Sequence, residues 1–394
     1  MAATIYPAGF RYLPLPTVQL SLAAVLNCGQ SFRWTSLPLT SGHEYRLCLR
    51  DRVVCLRQSP DALFYRSVFP EGDLPHAETA LREAETLTWI KDYFQLDVNL
   101  LKLYDDWSER DAVFRTLRSR FSGIRILRQD PWENLISFIC SSNNNIAPPC
   151  PAVASAPTVA TYHPFPPPSA LAAPEVAAQL RSLGFGYRAD FIQRTAKMLV
   201  DEHGTTVAAK SIEGPERWLL SLRDVDTNKA REELLKFVGV GRKVADCILL
   251  MSLDKREVIP VDTHVHQIAM KHYHFPRSSS KGKTTMTPKL YDEISKKLSD
   301  IWGEHAGWAH SILFTADLKA FSTYGLLEDQ SRSAPEMVLG ADPESGRFTK
   351  EPGPSLKRKR GNDTNGQAYS YLQDEGASLL ERVKTRRRGV AVLA

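Results

Sequence analysis

Between residues 75 and 78 the hydrophobic period of this chain changes, and no other feature of its 394 residues restricts the fold as much. From about residue 10 to 75 apolar residues alternate in short runs. In "EYRLCLRDRVVCLRQ", Tyr45, Leu47 and Leu49 point one way and Asp51-Arg52 makes a polar turn. Alternation at period two, broken by short turns, predicts an antiparallel sheet. From about 78 to 325 the spacing is helical. In "QDPWENLISFIC", Asp130 is an N-cap, Pro131 the first helical residue, and Trp132, Leu135, Ile136 and Ile139 share a face. The expected fold class is α+β, an N-terminal antiparallel sheet domain over 1–100 followed by a helical array.

Two stretches break this order. Eight of the 25 prolines fall between Pro148 and Pro168, in "PPCPAVASAPTVATYHPFPPP", and that density cannot continue a helix. Past about residue 326, "KRKR" at 357–360 and "KTRRR" at 384–388 punctuate a polar stretch that predicts a mostly disordered basic tail, with a short helix from Leu379 as an option. The basic clusters suit nuclear import or nonspecific DNA contact, or are simply solvated. The helical domain is therefore assigned to 101–147 and 169–325, with 148–168 set apart as abnormal. The composition, 43% hydrophobic and 24% charged, is that of a globular chain, and no apolar run suggests a membrane span or secretory leader. A soluble, intracellular protein is expected. Six scattered cysteines fit reduced thiols and suggest neither a structural zinc nor an iron–sulfur site. The net charge of +5 is compatible with a polyanionic partner and decides nothing alone.

The stretch "NKAREELLKFVGVGRKVADCILLMSL" reads as helix, hairpin, helix over 228–253. Gly239 and Gly241 permit positive φ and close backbone approach, and the next helix start presents free N–H groups to an anion, as a DNA phosphate is. An ordinary tight turn is the plain alternative. Val244, Cys247, Ile248 and Met251 follow core spacing, whereas Lys243 lies in the first turn, where the helix dipole disfavours a cation. Beside Arg242 and in a partly dry pocket its pKa is expected to be lowered, which suits an amine to Schiff-base chemistry. Reaching a phosphate, or mere exposure, are its other uses. In "VIPVDTHVHQIA", Asp262 is an N-cap that stays ionised; beside an amine it could also take a proton or stabilise a cationic sugar.

Together "GVGRKVADC" and "PVDTH" resemble the helix-hairpin-helix superfamily of DNA glycosylases, specifically the bifunctional eukaryotic 8-oxoguanine DNA glycosylases. "CGQSFRW", "CSSNNNIA", "TYHPFP", "LGFGYRA" and "GWAHSILFTADL" agree in order, so the resemblance covers about residues 10–325. It implies two helical subdomains after the sheet with the active site between them, and base excision repair of 8-oxoguanine opposite cytosine. Lys243 then matches the lysine that attacks C1′ and forms the imine from which β-elimination follows, and Asp262 the assisting acid. Gly29 matches the glycine whose carbonyl accepts the N7–H of the lesion. Cys247 and Phe314 match the residues that sandwich the base, Met251 lines its site and His310 meets its pairing edge. Asn143, Tyr187 and Arg188 match residues at the emptied stack, the wedge and the orphaned cytosine. Gly239, Val240, Gly241 and His264 face phosphates. The resemblance further implies double-stranded DNA as partner, no membrane, no cofactor, no metal, a monomer, and a nuclear location with a mitochondrial fraction left open.

Four departures matter. Val238 replaces a proline before the hairpin glycine, His310 replaces a glutamine, Pro148 replaces an arginine that reads cytosine, and a helix between "NNNIA" and "TYHPFP" gives way to the proline-rich segment. The last is expected to expose apolar surface and suggests a splice variant or a mispredicted exon boundary, with an authentic adaptation as the remaining alternative. "SSSKGKTTMTPK" at 278–289 is expected to be a tolerated polar loop. Excision of another damaged base, or DNA binding without catalysis, are the alternatives these departures leave open.

Overall fold

The computed structural model describes residues 7–71, 75–141, 161–206, 212–275 and 286–326. Asn143, Pro148, most of the 278–289 loop and the expected tail lie outside them.

Five strands, β1 (Arg11–Pro14), β2 (Thr35–Pro38), β3 (His43–Cys48), β4 (Val53–Gln58) and β5 (Ala62–Val68), form an antiparallel sheet in the order β1-β5-β4-β3-β2. Tyr45 stands opposite Leu56, and Leu56 opposite Tyr65, so an apolar row crosses three strands and is buried. The polar turn closes β3 on β4, where the Leu49 N–H donates to the Arg52 carbonyl at 2.8 Å.

The helices are α1 (Leu22–Val25), α2 (His76–Tyr93), α3 (Leu100–Arg110), α4 (Ala112–Leu117), α5 (Pro131–Ser141), α6 (Pro168–Ala172) and α7 (Val176–Ser182). They continue with α8 (Arg188–His203), α9 (Gly214–Ser221), α10 (Thr227–Leu235), α11 (Arg242–Ser252), α12 (Thr263–His272), α13 (Pro288–Trp302) and α14 (Ala306–Asp317). Proline opens α5, α6 and α13, where its missing N–H removes no helical bond. Asp130 accepts the Glu133 N–H at 2.9 Å, as an N-cap should.

Two apolar cores result. One joins the sheet to α1–α4 and α12–α14 through Leu56, Phe94, Trp107, Phe114, Val265, Trp302 and Ile312. The other joins α5 to α11 through Leu135, Ile139, Ile192, Leu219, Leu234 and Ile248. The chain leaves the first core after Leu127 and returns to it at Leu250, near the end of α11. Met251, near the end of α11, packs against both. Helix α11 therefore runs along the seam.

The described end of the proline-rich segment is extended and held. Arg46 donates to the Tyr162 hydroxyl at 2.9 Å, Arg33 to the His163 carbonyl at 3.1 Å and Trp132 Nε1 to the Pro166 carbonyl at 3.0 Å. Three donors, from β3, the loop before β2 and α5, thus hold this strap. Helix α14 is similarly close to its neighbours. A Cβ on Gly307 would stand 2.3 Å from the Val258 carbonyl oxygen and 2.5 Å from a Leu250 methyl. Gly307→Ala is expected to cost about 3 kcal/mol, at the upper end of ordinary overpacking. The measurement is the urea midpoint at constant slope, and an unshifted midpoint would show that α14 can slide.

Candidate active site

The hairpin is built by residues 236–241. Gly239 has φ +83°, and a Cβ there would also meet the Phe191 ring at 2.5 Å, so both conformation and space demand glycine. The Thr195 hydroxyl donates to the Val238 carbonyl at 3.1 Å, which holds the turn without the proline. Val240 anchors it as a buried side chain. Gly241 departs from the expected positive φ. It caps α11 at φ −91° and ψ 178°, and nothing lies within 4 Å of where its Cβ would be. Its backbone does not require glycine; what the residue supplies is open space in front of the first N–H groups of α11.

Lys243, in the first turn of α11, points into a cavity of about 50 Å³. Cys28 and Gly29 reach this cavity from the loop after α1, Phe138 from α5, Cys247 and Met251 from α11, Asp262 from the start of α12, and His310 and Phe314 from α14. Five sequence segments, α11 with its amine among them, thus converge on one cavity. Lys243 Nζ lies 5.1 Å from the centroid of the Phe138 ring, a cation–π distance. Asp262 caps α12, with Oδ1 accepting the Val265 N–H at 2.9 Å.

The electrostatics correct one expectation. The Lys243 amine is raised above its ordinary range, not lowered. Cys247 is the first cause and Asp262 the second cation-favouring one, and together they outweigh desolvation. Arg242, expected to push the other way, turns aside: its guanidinium pairs with Asp292 at 2.7 Å and lies over the Tyr291 ring. Burial pushes the Cys247 thiol up to about 11, so at neutral pH it is uncharged. The charge that faces the Lys243 ammonium there is the Asp262 carboxylate.

His310 is buried, and neither ring nitrogen has a partner among the described residues. Burial brings its pKa down to about 4 from 6.5, so the ring is neutral at pH 7 and keeps one donor and one acceptor uncommitted. Unfolding exposes the ring and restores its ordinary pKa. As pH falls from 6.5 toward 4 the unfolded chain binds a proton that the folded one resists, and stability falls. Melting temperatures between pH 7.5 and 4.5 are expected to decline less steeply for His310→Gln than for the wild type; parallel declines would show that another group governs this range.

Phe314 lies between His310, at a centroid distance of 6.1 Å, and His264, edge-on at 5.9 Å. His264 itself is half exposed, outside the cavity, with Nδ1 3.8 Å from Asp317. Tyr187 is exposed, and Arg188 lies in the wall of a separate apolar groove of about 350 Å³ between α5 and α8. Neither shares the Lys243 cavity, and Asn143 falls outside the described residues. Phe138, Cys28 and Gln30 are lining residues that sequence reasoning passed over. Gln30 was legible within "CGQSFRW": its amide donates to the Arg125 carbonyl at 2.8 Å and accepts the Leu127 N–H at 3.0 Å, fixing the loop on which Gly29 adopts φ +85°. A more spacious cleft, about 880 Å³, lies elsewhere, and its Arg128 is already paired with Asp254 and Asp92. No group of three or more His, Cys, Asp or Glu side chains suited to a metal occurs among the described residues.

Comparison with known proteins agrees with this arrangement. The model for the 8-oxoguanine DNA glycosylase N-terminal domain matches residues 12–135, and that for the HhH-GPD superfamily base excision DNA repair proteins matches 136–292. The chain is 36% identical over 322 residues to the N-glycosylase/DNA lyase OGG1 of Arabidopsis thaliana, covering 79% of this chain and 81% of that one. It is 36% identical over 343 residues to the N-glycosylase/DNA lyase of Saccharomyces cerevisiae, covering 78% and 86%. Among solved structures, MBOgg1 in complex with a low affinity DNA ligand superposes with a TM-score of 0.59 at 25% identity over 82% of this chain and 98% of that one. The apo-form of the Clostridium acetobutylicum 8-oxoguanine glycosylase/lyase shares the fold, with a TM-score of 0.58 at 24% identity over 78% and 98%. With two adjoining family models spanning the sheet, the hairpin and both Lys243 and Asp262, and relatives matched over about four-fifths of its length, the chain belongs to the 8-oxoguanine DNA glycosylases of the HhH-GPD superfamily.

Proposed function

We propose that this chain excises 8-oxoguanine opposite cytosine in duplex DNA through an imine between Lys243 and the deoxyribose. It is a DNA N-glycosylase with AP lyase activity, an enzyme of base excision repair. The observation that carries the imine reading is the meeting of Lys243 and Asp262 in one buried cavity that also holds Gly29, Cys247, His310 and Phe314.

The resting ammonium must first lose a proton, and Asp262 is the carboxylate that faces it. Nζ then bonds to C1′ while the C1′–N9 bond breaks, its electron pair leaving with the base, which is protonated as it departs. Loss of a second proton from the nitrogen and opening of the sugar ring give the imine. Removal of a C2′ proton then expels the 3′ phosphate with its electron pair, which nicks the strand. Asp262 also stabilises positive charge on the sugar during base departure.

A base inside a duplex cannot reach Lys243, so it must be flipped out. The cavity is far below the ~300 Å³ typical of ligand sites, so the side chains at its mouth must part to admit a purine. Gly29 carbonyl then accepts the N7–H of 8-oxoguanine, where guanine would present a second acceptor and be refused. Cys247 and Phe314 flank the base, Met251 closes its site and the free nitrogens of His310 meet its pairing edge. The amides of Gly239, Val240 and Gly241, with His264, hold phosphates. Tyr187 wedges the stack, Asn143 supports it, and Arg188 reads the cytosine. The enzyme acts as a monomer in the nucleus, where its two basic clusters at 357–360 and 384–388 would direct it.

Borohydride trapping of the full chain tests the reading. A covalent adduct is expected on a duplex carrying 8-oxoguanine opposite cytosine and not on an undamaged one. Folded protein that gives no adduct would refute the imine. A second reading, excision of a different damaged base, draws on the uncommitted nitrogens of His310, and a panel of lesion duplexes separates the two.

A further inference from the structure

The carboxylate of Asp246 is buried on α11 and has no part in the chemistry above. Its Oδ1 accepts Arg231 Nε of α10 at 2.7 Å, and its Oδ2 accepts the Tyr291 hydroxyl of α13 at 2.6 Å. The same phenol oxygen accepts the backbone N–H of Val261 at 3.0 Å. Val261 directly precedes Asp262. We propose that Tyr291 is a positioning residue for base excision: by bridging Asp246 to the Val261 amide, its hydroxyl sets the Asp262 carboxylate against Lys243.

The reasoning begins with what carries each reacting group. Lys243 belongs to α11 and Asp262 to the segment entering α12, so their separation depends on how those two elements are joined. Asp246 sits one helical turn beyond Lys243 and moves with it. The Val261 amide moves with Asp262. Tyr291 is the side chain that touches both, and it is itself immobilised. It is buried, and the Arg242 guanidinium, paired with Asp292 on the same helix, covers its ring at 4.8 Å from the centroid. Burial and the Asp246 carboxylate push the phenol far above its ordinary range, so it remains a donor to Asp246 throughout the working pH range. A buried network in which each member has its partner holds one arrangement rather than several. Catalysis is sensitive to such an arrangement, since a displacement of roughly 1 Å can cost about 10²-fold in rate.

A hydroxyl that merely fills the core would affect folding stability alone, and the test separates the two roles. Single-turnover excision of 8-oxoguanine by full-length Tyr291→Phe is measured beside the affinity for the lesion duplex of the same substitution in a Lys243→Gln background. The expected result is a rate about 10- to 100-fold lower with affinity changed less than about threefold. Asp262→Asn should also cost less when added to Tyr291→Phe than when made alone, because the two act on one geometry. An excision rate within about twofold of wild type, rate and affinity falling together, or strictly additive effects would overturn the proposal. If circular dichroism shows Tyr291→Phe to be unfolded, Asp246→Asn carries the test. Its amide keeps the volume but offers one acceptor to two donors; the same split of rate from affinity is expected, and an unchanged rate overturns the proposal. The inference rests on reading Lys243 and Asp262 as the reacting pair. That reading fails on its own terms if the wild type forms no borohydride adduct, whereas the inference fails with adduct formation in the wild type intact and excision by the variant undiminished.

Discussion

Lys243→Gln is expected to abolish the borohydride adduct and to lower base excision by at least about 10⁴-fold, the scale seen when a covalent nucleophile is removed. Glutamine nearly matches lysine in volume and helix propensity, and it keeps a polar tip beside the Phe138 ring. It also removes a cation from the first turn of α11, where the helix dipole opposes one. The raised pKa of Lys243 shows that the Asp262 carboxylate outweighs that dipole, so the variant should lose a little stability while retaining its affinity for the lesion duplex. Measuring adduct, excision and melting temperature on one preparation checks all of this. Residual adduct in the variant would mean that another amine reaches C1′, and that the raised pKa of Lys243 marks a structural cation rather than a nucleophile.

Asp262→Asn should separate capping from catalysis at a single residue. Asparagine is as good an N-cap as aspartate, so the bond from the Val265 N–H to the side-chain oxygen survives, and the stability lost should be only that of the carboxylate's pairing with the Lys243 ammonium. The amide cannot take a proton from the ammonium, and it brings no charge to a cationic sugar. Excision is expected to fall by about 10² to 10⁴-fold, the range for loss of a positioned base. Single-turnover rates beside urea denaturation are the measurement. A large fall in stability with little change in rate would make Asp262 a cap only.

These substitutions also mark what was legible in the sequence and what was not. The sheet announced itself by alternation in β3, where Tyr45 and Leu47 are buried and Arg46 and Cys48 only partly so. Asp130 and Asp262 were readable as caps because capping is a contact within three residues. The pairing of β1 with β5 had no local signature, nor did the return of the chain to the first core at the end of α11. The protonation of Lys243 was misjudged for the same reason. Its sequence neighbours argued for a lowered pKa, but Arg242 turns to Asp292 while Asp262, from another element, faces the amine. Gly241 looked like a conformational glycine and proved to be a spatial one. Tyr291 carried no motif at all; only the meeting of α11, α13 and the Val261 backbone gives its hydroxyl a role.

The thiol of Cys247 has a consequence for how such an enzyme survives its circumstances. Thiolates, not thiols, react with peroxides and electrophiles. With its pKa pushed up to about 11, Cys247 is ionised in only about one molecule in 10⁴ at neutral pH, and it is almost wholly covered. Cys28, across the same cavity, is raised by burial too. Under the function proposed above, the substrate arises when guanine is oxidised, and the sulfur beside Lys243 is kept in the form least open to the same oxidants. The conditions that create its work do not readily disarm it.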